Sequence, residues 1–153
     1  MAAPDPDSPS VVYERLRWNT PLSPDHATLL LGALDDATGE DVLDLGCGWG
    51  ELLIEAVGRV AHGQGTGVDN AEWAIERARR VAGERGFSQR TRFVLGDCSQ
   101  WADASDRVLC IGASHAWGGS ERALGGLVGN VRPGGRLVFG DGFWQEPPSR
   151  AAT

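Results

Sequence analysis

The stretch from Asp41 to Glu51, DVLDLGCGWGE, constrains the fold more than any other part of the chain. An apolar run ends at Leu45, glycines stand at positions 46, 48 and 50, and a helical pattern opens near Glu51. Alternate glycines permit positive φ and let a ligand come close to the backbone. A strand that feeds a helix through such a turn is the opening unit of an open parallel sheet, where ligands bind beyond the carboxyl ends of the strands.

The rest of the chain repeats that alternation. Val42–Leu45, Thr66–Val68, Arg92–Leu95, Val108–Ile111 and Arg136–Phe139 read as five strands. Glu51–Val60, Ala71–Arg85, a short turn around Gln100–Ala104 and Glu121–Val131 read as the crossovers. Strands apolar on both faces, separated by helices, specify an α/β fold with helices on each side of a parallel sheet. Right-handed crossovers make an open doubly wound sheet the economical topology. Ahead of it, Val11–Trp18 is expected to form a short amphipathic helix. After the break NTPLSP, a second helix is expected from Pro24 to about Leu34 with Ser23 as its cap. Residues 1–10 carry three prolines and two aspartates and are expected to be a disordered tail. At 153 residues the remainder, 11–153, is expected to be one domain, with helices at 11–38 and the α/β core at 39–145.

Composition removes several functions. The 14 cations are all arginine and spread along the chain, against 21 acids, for a net charge of −7. Such a chain is a poor binder of nucleic acid, whose affinity comes from phosphate neutralisation. No apolar run approaches the ~20 residues of a membrane helix, and the start lacks the pattern of a secretion signal, so the expected location is cytoplasmic with no membrane partner. Cys47, Cys98 and Cys110 lack disulfide spacing, and with His26, His62 and His115 they show no zinc-ligand spacing. The cysteines read as small packing residues and no metal is expected.

The ligand of the glycine loop follows by elimination. A dinucleotide fingerprint seats pyrophosphate on the helix N-terminus with glycine at the third position; here that position is Glu51, an anion. A phosphate-binding Walker loop needs a lysine, and the chain has none. A nucleoside without phosphates remains, preferably cationic, because Asp44, Asp69 and Asp97 all stand at or just beyond strand ends. Asp69 is placed to accept from two ribose hydroxyls.

At this point the chain resembles the class I S-adenosylmethionine-dependent methyltransferases, over about residues 11–145. The carriers are D-x-G-x-G-x-G at 44–50, Val68-Asp69, Gly96-Asp97-Cys98 and the Arg132–Leu137 turn into the fifth strand. The resemblance implies S-adenosylmethionine as cofactor and a five-stranded sheet in the order 3-2-1-4-5. It implies that Gly46, Cys47 and Gly48 meet the methionine part through backbone and that Asp44 orients the loop and the amino group. Asp69 with Asn70 beside it would hold the ribose, and Asp97 with the Cys98 amide would read adenine. The family more often has an apolar residue at position 70, so adenine packing falls to Trp73 or Trp101.

In the same family the segment after the fourth strand, GASHAWGG at 112–119, faces the methyl being transferred. An activated methyl needs alignment more than covalent help, and a base only if the acceptor loses a proton. Three roles are open to His115: general base, direct substrate contact, and structural support. Ser114 is a possible polar contact to the acceptor, Trp117 its expected wall, and Tyr13 or Trp18 an expected lid.

Family members generally continue past the fifth strand with a helix and an antiparallel pair. This sequence ends at Thr153, so that pair is expected to be lacking. The open sheet edge is expected either to pair in a homodimer or to be shielded by the FWQEPP segment. Two functions stay open: methylation of a small-molecule acceptor, and a cofactor-binding relative with an incomplete acceptor site. A nicotinamide oxidoreductase is disfavoured by Glu51.

Overall fold

In the computed structural model the described residues are 13 and 15–142. The expected tail at 1–10 and the FWQEPP segment lie outside them.

The order of elements is α1 (Pro24–Gly32), β1 (Val42–Leu45), α2 (Glu51–Gly58), β2 (Gly65–Asp69), α3 (Glu72–Glu84), β3 (Thr91–Leu95), β4 (Ser105–Ile111), α4 (Ser120–Leu127) and β5 (Val131–Gly140). Short 3-10 turns occupy Cys98–Gln100, Ser114–Trp117 and Val128–Asn130. The five strands pair in the order β3-β2-β1-β4-β5, and every pair is parallel. This is the open doubly wound sheet, in the strand order expected from the sequence. All five carboxyl ends therefore point to one edge, which is where chemistry collects in such a sheet.

Alternation along the strands builds two cores. Val42, Phe93, Leu109 and Val138 face α1, α2 and α3, in a cluster with Leu53, Val57 and Ile75. Leu43, Leu45, Val68, Val108 and Cys110 face the other way, with Ala123 and Leu127 of α4. A strand with period-two side chains buried on both faces is what VLDL requires. Ser23 caps α1 by accepting from the His26 amide at 3.2 Å, with Pro24 in the first turn.

Two expectations about the leading segment change. The helix expected at Val11–Trp18 is absent among its described residues: Leu16 donates to the Tyr13 carbonyl in a turn, and bends follow. Its apolar residues are used otherwise, Tyr13 stacking on Trp73 with centroids 6.2 Å apart and Trp18 entering the core. The second helix ends at Gly32, two residues early, and Ala33–Asp36 continue as a turn.

Candidate functional site

The strand tips and the glycine loop enclose one cleft. The loop after β1 forms its floor, Asp69–Ala71 and Asp97–Cys98 one wall, and Ile111–Ala113 with His115 the other; Trp18, Asn19 and Thr20 border it from the leading segment.

The loop's shape requires its glycines. Gly46, Gly48 and Gly50 have φ of 82°, 52° and 76°, the left-handed region that L side chains avoid. A Cβ on Gly46 would come within 2.2 Å of the Ala113 Cβ, which locks the loop against the segment after β4. Gly46 and Cys47 donate their amides to the Val68 carbonyl at 2.9 and 3.1 Å, and Gly48 donates to Asp69 at 2.8 Å. All three amides are thus engaged within the chain. A phosphate cradle aims such amides at its ligand, so this loop admits a ligand through missing side chains instead.

The electrostatics favour a cation. Asp44, Glu51, Asp69 and Asp97 line the cleft together with His115 as its one imidazole. Burial, and then the Asp69 charge, push the Asp44 carboxyl up to about 7, the mark of a carboxylate short of positive partners. Asp97 is held below its ordinary value by hydrogen bonds from the Ser99 side chain and amide, at 2.7 and 2.9 Å. Glu51, buried at the start of α2, pairs with Arg85 at 2.9 Å. Burial raises the Cys47 thiol well above its usual value, Cys98 to about 11 and Cys110 to about 12. Thiols held protonated are poor nucleophiles.

The cleft brings together most of the residues singled out from the sequence: Asp44, Gly46, Cys47, Asp69, Asn70, Asp97, Cys98, His115 and Trp18 all border it. Gly48 touches it through its bond to Asp69. Others go elsewhere. Trp73 stacks with Tyr13 and lies 5.8 Å from Trp49, and Trp101 packs into the core beneath α4, so neither lines the cleft. Tyr13 lies outside the cleft in that aromatic stack. Ser114 donates its hydroxyl to Asp141. Trp117 lies over Gly126, where the missing side chain leaves room for the indole, and is not the expected wall. Asn19 and Thr20 were missed as cleft residues. Asn19 and Thr20 sit in NTPLSP, which reads only as a helix breaker, and no local signal places it across the cleft.

Comparison with known proteins decides the family. Residues 42–135 match the family described as "Methyltransferase domain". The chain belongs to the class I S-adenosylmethionine-dependent methyltransferases. A methyltransferase of this family from Geobacter sulfurreducens, solved with S-adenosyl-L-homocysteine, superposes with a TM-score of 0.80 at 32% identity, covering 93% of this chain and 58% of that one. The structure of Escherichia coli YjhP gives 0.79 at 29% identity over 93% of this chain and 59% of its own. In sequence, YjhP of strain K12 is 31% identical over 136 residues, 87% of this chain and 54% of YjhP. Aklanonic acid methyltransferase DauC from Streptomyces sp. is 37% identical over 92 residues, 58% of this chain and 40% of DauC. The chain spans about half the length of the curated relatives it matches.

The cofactor of this methyltransferase family fits what the cleft offers. S-adenosylmethionine carries a sulfonium and an ammonium, and the cleft presents Asp44, Asp69 and Asp97 with no arginine among its lining residues. It carries no phosphate, and the loop's amides are already engaged.

Proposed function

We propose that this chain transfers a methyl group from S-adenosylmethionine to a small-molecule acceptor. The observation that carries the reading is the acidic cleft at the strand tips, closed on one side by a glycine loop whose amides are used internally. In this reading Asp69 holds the ribose hydroxyls with Asn70 beside it. Asp97 and the Cys98 amide meet the adenine edge, and the buried Asp44 favours the cationic methionyl end. When bound, S-adenosylmethionine supplies a methyl group activated by its sulfonium, and the electron pair of the broken S–C bond stays on the departing neutral thioether.

The chain's own part is binding, alignment and removal of a proton. His115 stands at the cleft in the 3-10 turn after β4. Its imidazole takes up the proton that an acceptor O–H or N–H gives up, a role worth ~10²–10⁴ in rate when a base is positioned. Asp141, within Coulomb reach of His115, steadies the imidazolium so formed. Because β5 is one of the two outer strands of the sheet, pairing of two chains along it belongs to the same reading, and light scattering at two concentrations tests it.

Isothermal titration with S-adenosyl-L-homocysteine, followed by turnover of S-adenosylmethionine against a panel of hydroxyl, amine and carboxylate metabolites, tests the function. Micromolar binding with methylation of one class supports it. Binding with no transfer to any class favours a non-catalytic relative, and no binding overturns the reading.

A further inference from the structure

We propose that the cavity between α1, the stretch just before it and the tips of β4 and β5 is the acceptor site, and that it takes an uncharged, mainly apolar molecule methylated on a hydroxyl. The proposal rests on the methyl-transfer reading above.

The cavity has a volume of about 310 Å³, within the range of small-molecule pockets. It adjoins the cofactor cleft directly: Thr20, Ile111 and Gly112 border both. Gly112 has φ +74°, and a Cβ there would come within 3.1 Å of the Thr20 hydroxyl. Gly112 thereby lets the Thr20 side chain close against the β4 tip at the border of the two spaces.

The walls set the acceptor's chemistry. Leu22, Leu29, Leu30 and Ile111 are apolar, and the ionisable side chains are His26 and Asp141. Leu29 is 72% exposed, a leucine on the open side of a helix that a ligand would cover. Asp141 is ionised, held below its ordinary value first by the Ser114 hydroxyl and then by that of Ser120, and it also accepts from the Gly142 amide at 2.9 Å. A carboxylate acceptor would meet that charge, and four further acids line the neighbouring cleft. An ammonium would find Asp141 already supplied with three donors, and carries no lone pair until it loses its proton. A neutral hydroxyl avoids both costs and gives its proton to an imidazole.

The test uses the S-adenosyl-L-homocysteine complex and three probes of one shape: 4-ethylphenol, 4-ethylbenzylamine and 4-ethylbenzoate, titrated by ligand-observed NMR. The expected result is 4-ethylphenol binding about tenfold or more tighter than the other two, the weight of one mismatched charge or donor. Leu29→Arg, at an exposed position that leaves folding intact, is expected to weaken 4-ethylphenol by about tenfold, the weight of one apolar contact, with homocysteine-product affinity unchanged. Preference for the amine or the benzoate, indifference of 4-ethylphenol to Leu29→Arg, or no binding of it to the complex overturns the proposal. If S-adenosyl-L-homocysteine itself fails to bind, the methyl-transfer reading falls and takes this one with it.

Discussion

Gly48 donates its amide to Asp69 Oδ2 at 2.8 Å, while Asp69 Oδ1 accepts from the Ala71 amide at 2.9 Å. One carboxylate thus ties the tip of β2 to the glycine loop and holds its own oxygens in place before any ligand arrives. Such preorganisation lowers the ordering cost of binding.

Replacing Asp69 by alanine removes the clamp and, on the proposed reading, the acceptor for a ribose diol. Hydrogen bonds to a charged group contribute ~1.5–3 kcal/mol each, so two of them set an expected rise in Kd of about a hundredfold or more for S-adenosyl-L-homocysteine. Isothermal titration measures it. An unchanged Kd removes Asp69 from the site.

Asp44 predicts a pH signature of stability. Its ordinary value is 3.8, and burial with the Asp69 charge carries it to about 7 in the folded chain. Between those values the unfolded chain has released a proton that the folded chain keeps. The free protein therefore loses stability as pH rises from about 4 to about 7 and then levels off, by an amount on the order of 4 kcal/mol. Asp44→Asn removes that slope: its Tm exceeds that of the unmodified protein at pH 8, and the two converge near pH 4. Parallel Tm curves across that range contradict the assignment. On the proposed reading, in which Asp44 favours the ammonium, the same variant is expected to bind S-adenosyl-L-homocysteine more weakly.

What the sequence showed and what it hid divide along physical lines. β1 occupies Val42–Leu45, the residues of its apolar run, because a strand buried on both faces leaves a continuous local signal. The acids at 44, 69 and 97 were legible for the same reason, each at or just past the end of such a run. The turn at Ser114–Trp117 was not. Three neighbours there diverge, His115 to the cleft, Ser114 to Asp141 and Trp117 to Gly126, and a one-residue change of direction in a 3-10 turn is set by distant partners. The leading segment misled through its spacing. Tyr13 and Trp18 are apolar because they meet Trp73 and the core, contacts that an extended turn makes as well as a helix.

Gly46→Ala tests how tightly the loop is built. The new Cβ would meet Ala113 at 2.2 Å from a backbone φ of +82°. The left-handed conformation costs ~1–2 kcal/mol and overpacking another ~1–3 kcal/mol, so a loss of about 2–5 kcal/mol is expected from urea unfolding. Because Ala113 also borders the cleft, cofactor-product binding is expected to fall with it. A variant as stable as the parent shows that the loop can move away from β4.

Arg77 holds the leading segment over the aromatic cluster. Its guanidinium donates to the Tyr13 and Leu16 carbonyls at 2.9 and 2.8 Å and lies 4.0 Å from the centre of the Trp49 ring. Glutamine matches arginine in helix propensity, so Arg77→Gln leaves α3 intact while removing those contacts. The Trp49 indole still donates to the Arg17 carbonyl at 2.6 Å, so the segment loosens without coming free. Faster amide exchange at residues 16–20 is expected, with a severalfold weaker affinity for S-adenosyl-L-homocysteine, because Trp18, Asn19 and Thr20 border the cleft. The double variant Arg77→Gln with Trp49→Phe removes the second anchor and is expected to lose more than the sum of the two single changes, since each anchor alone restrains the same stretch. Strict additivity means that the two hold the segment independently.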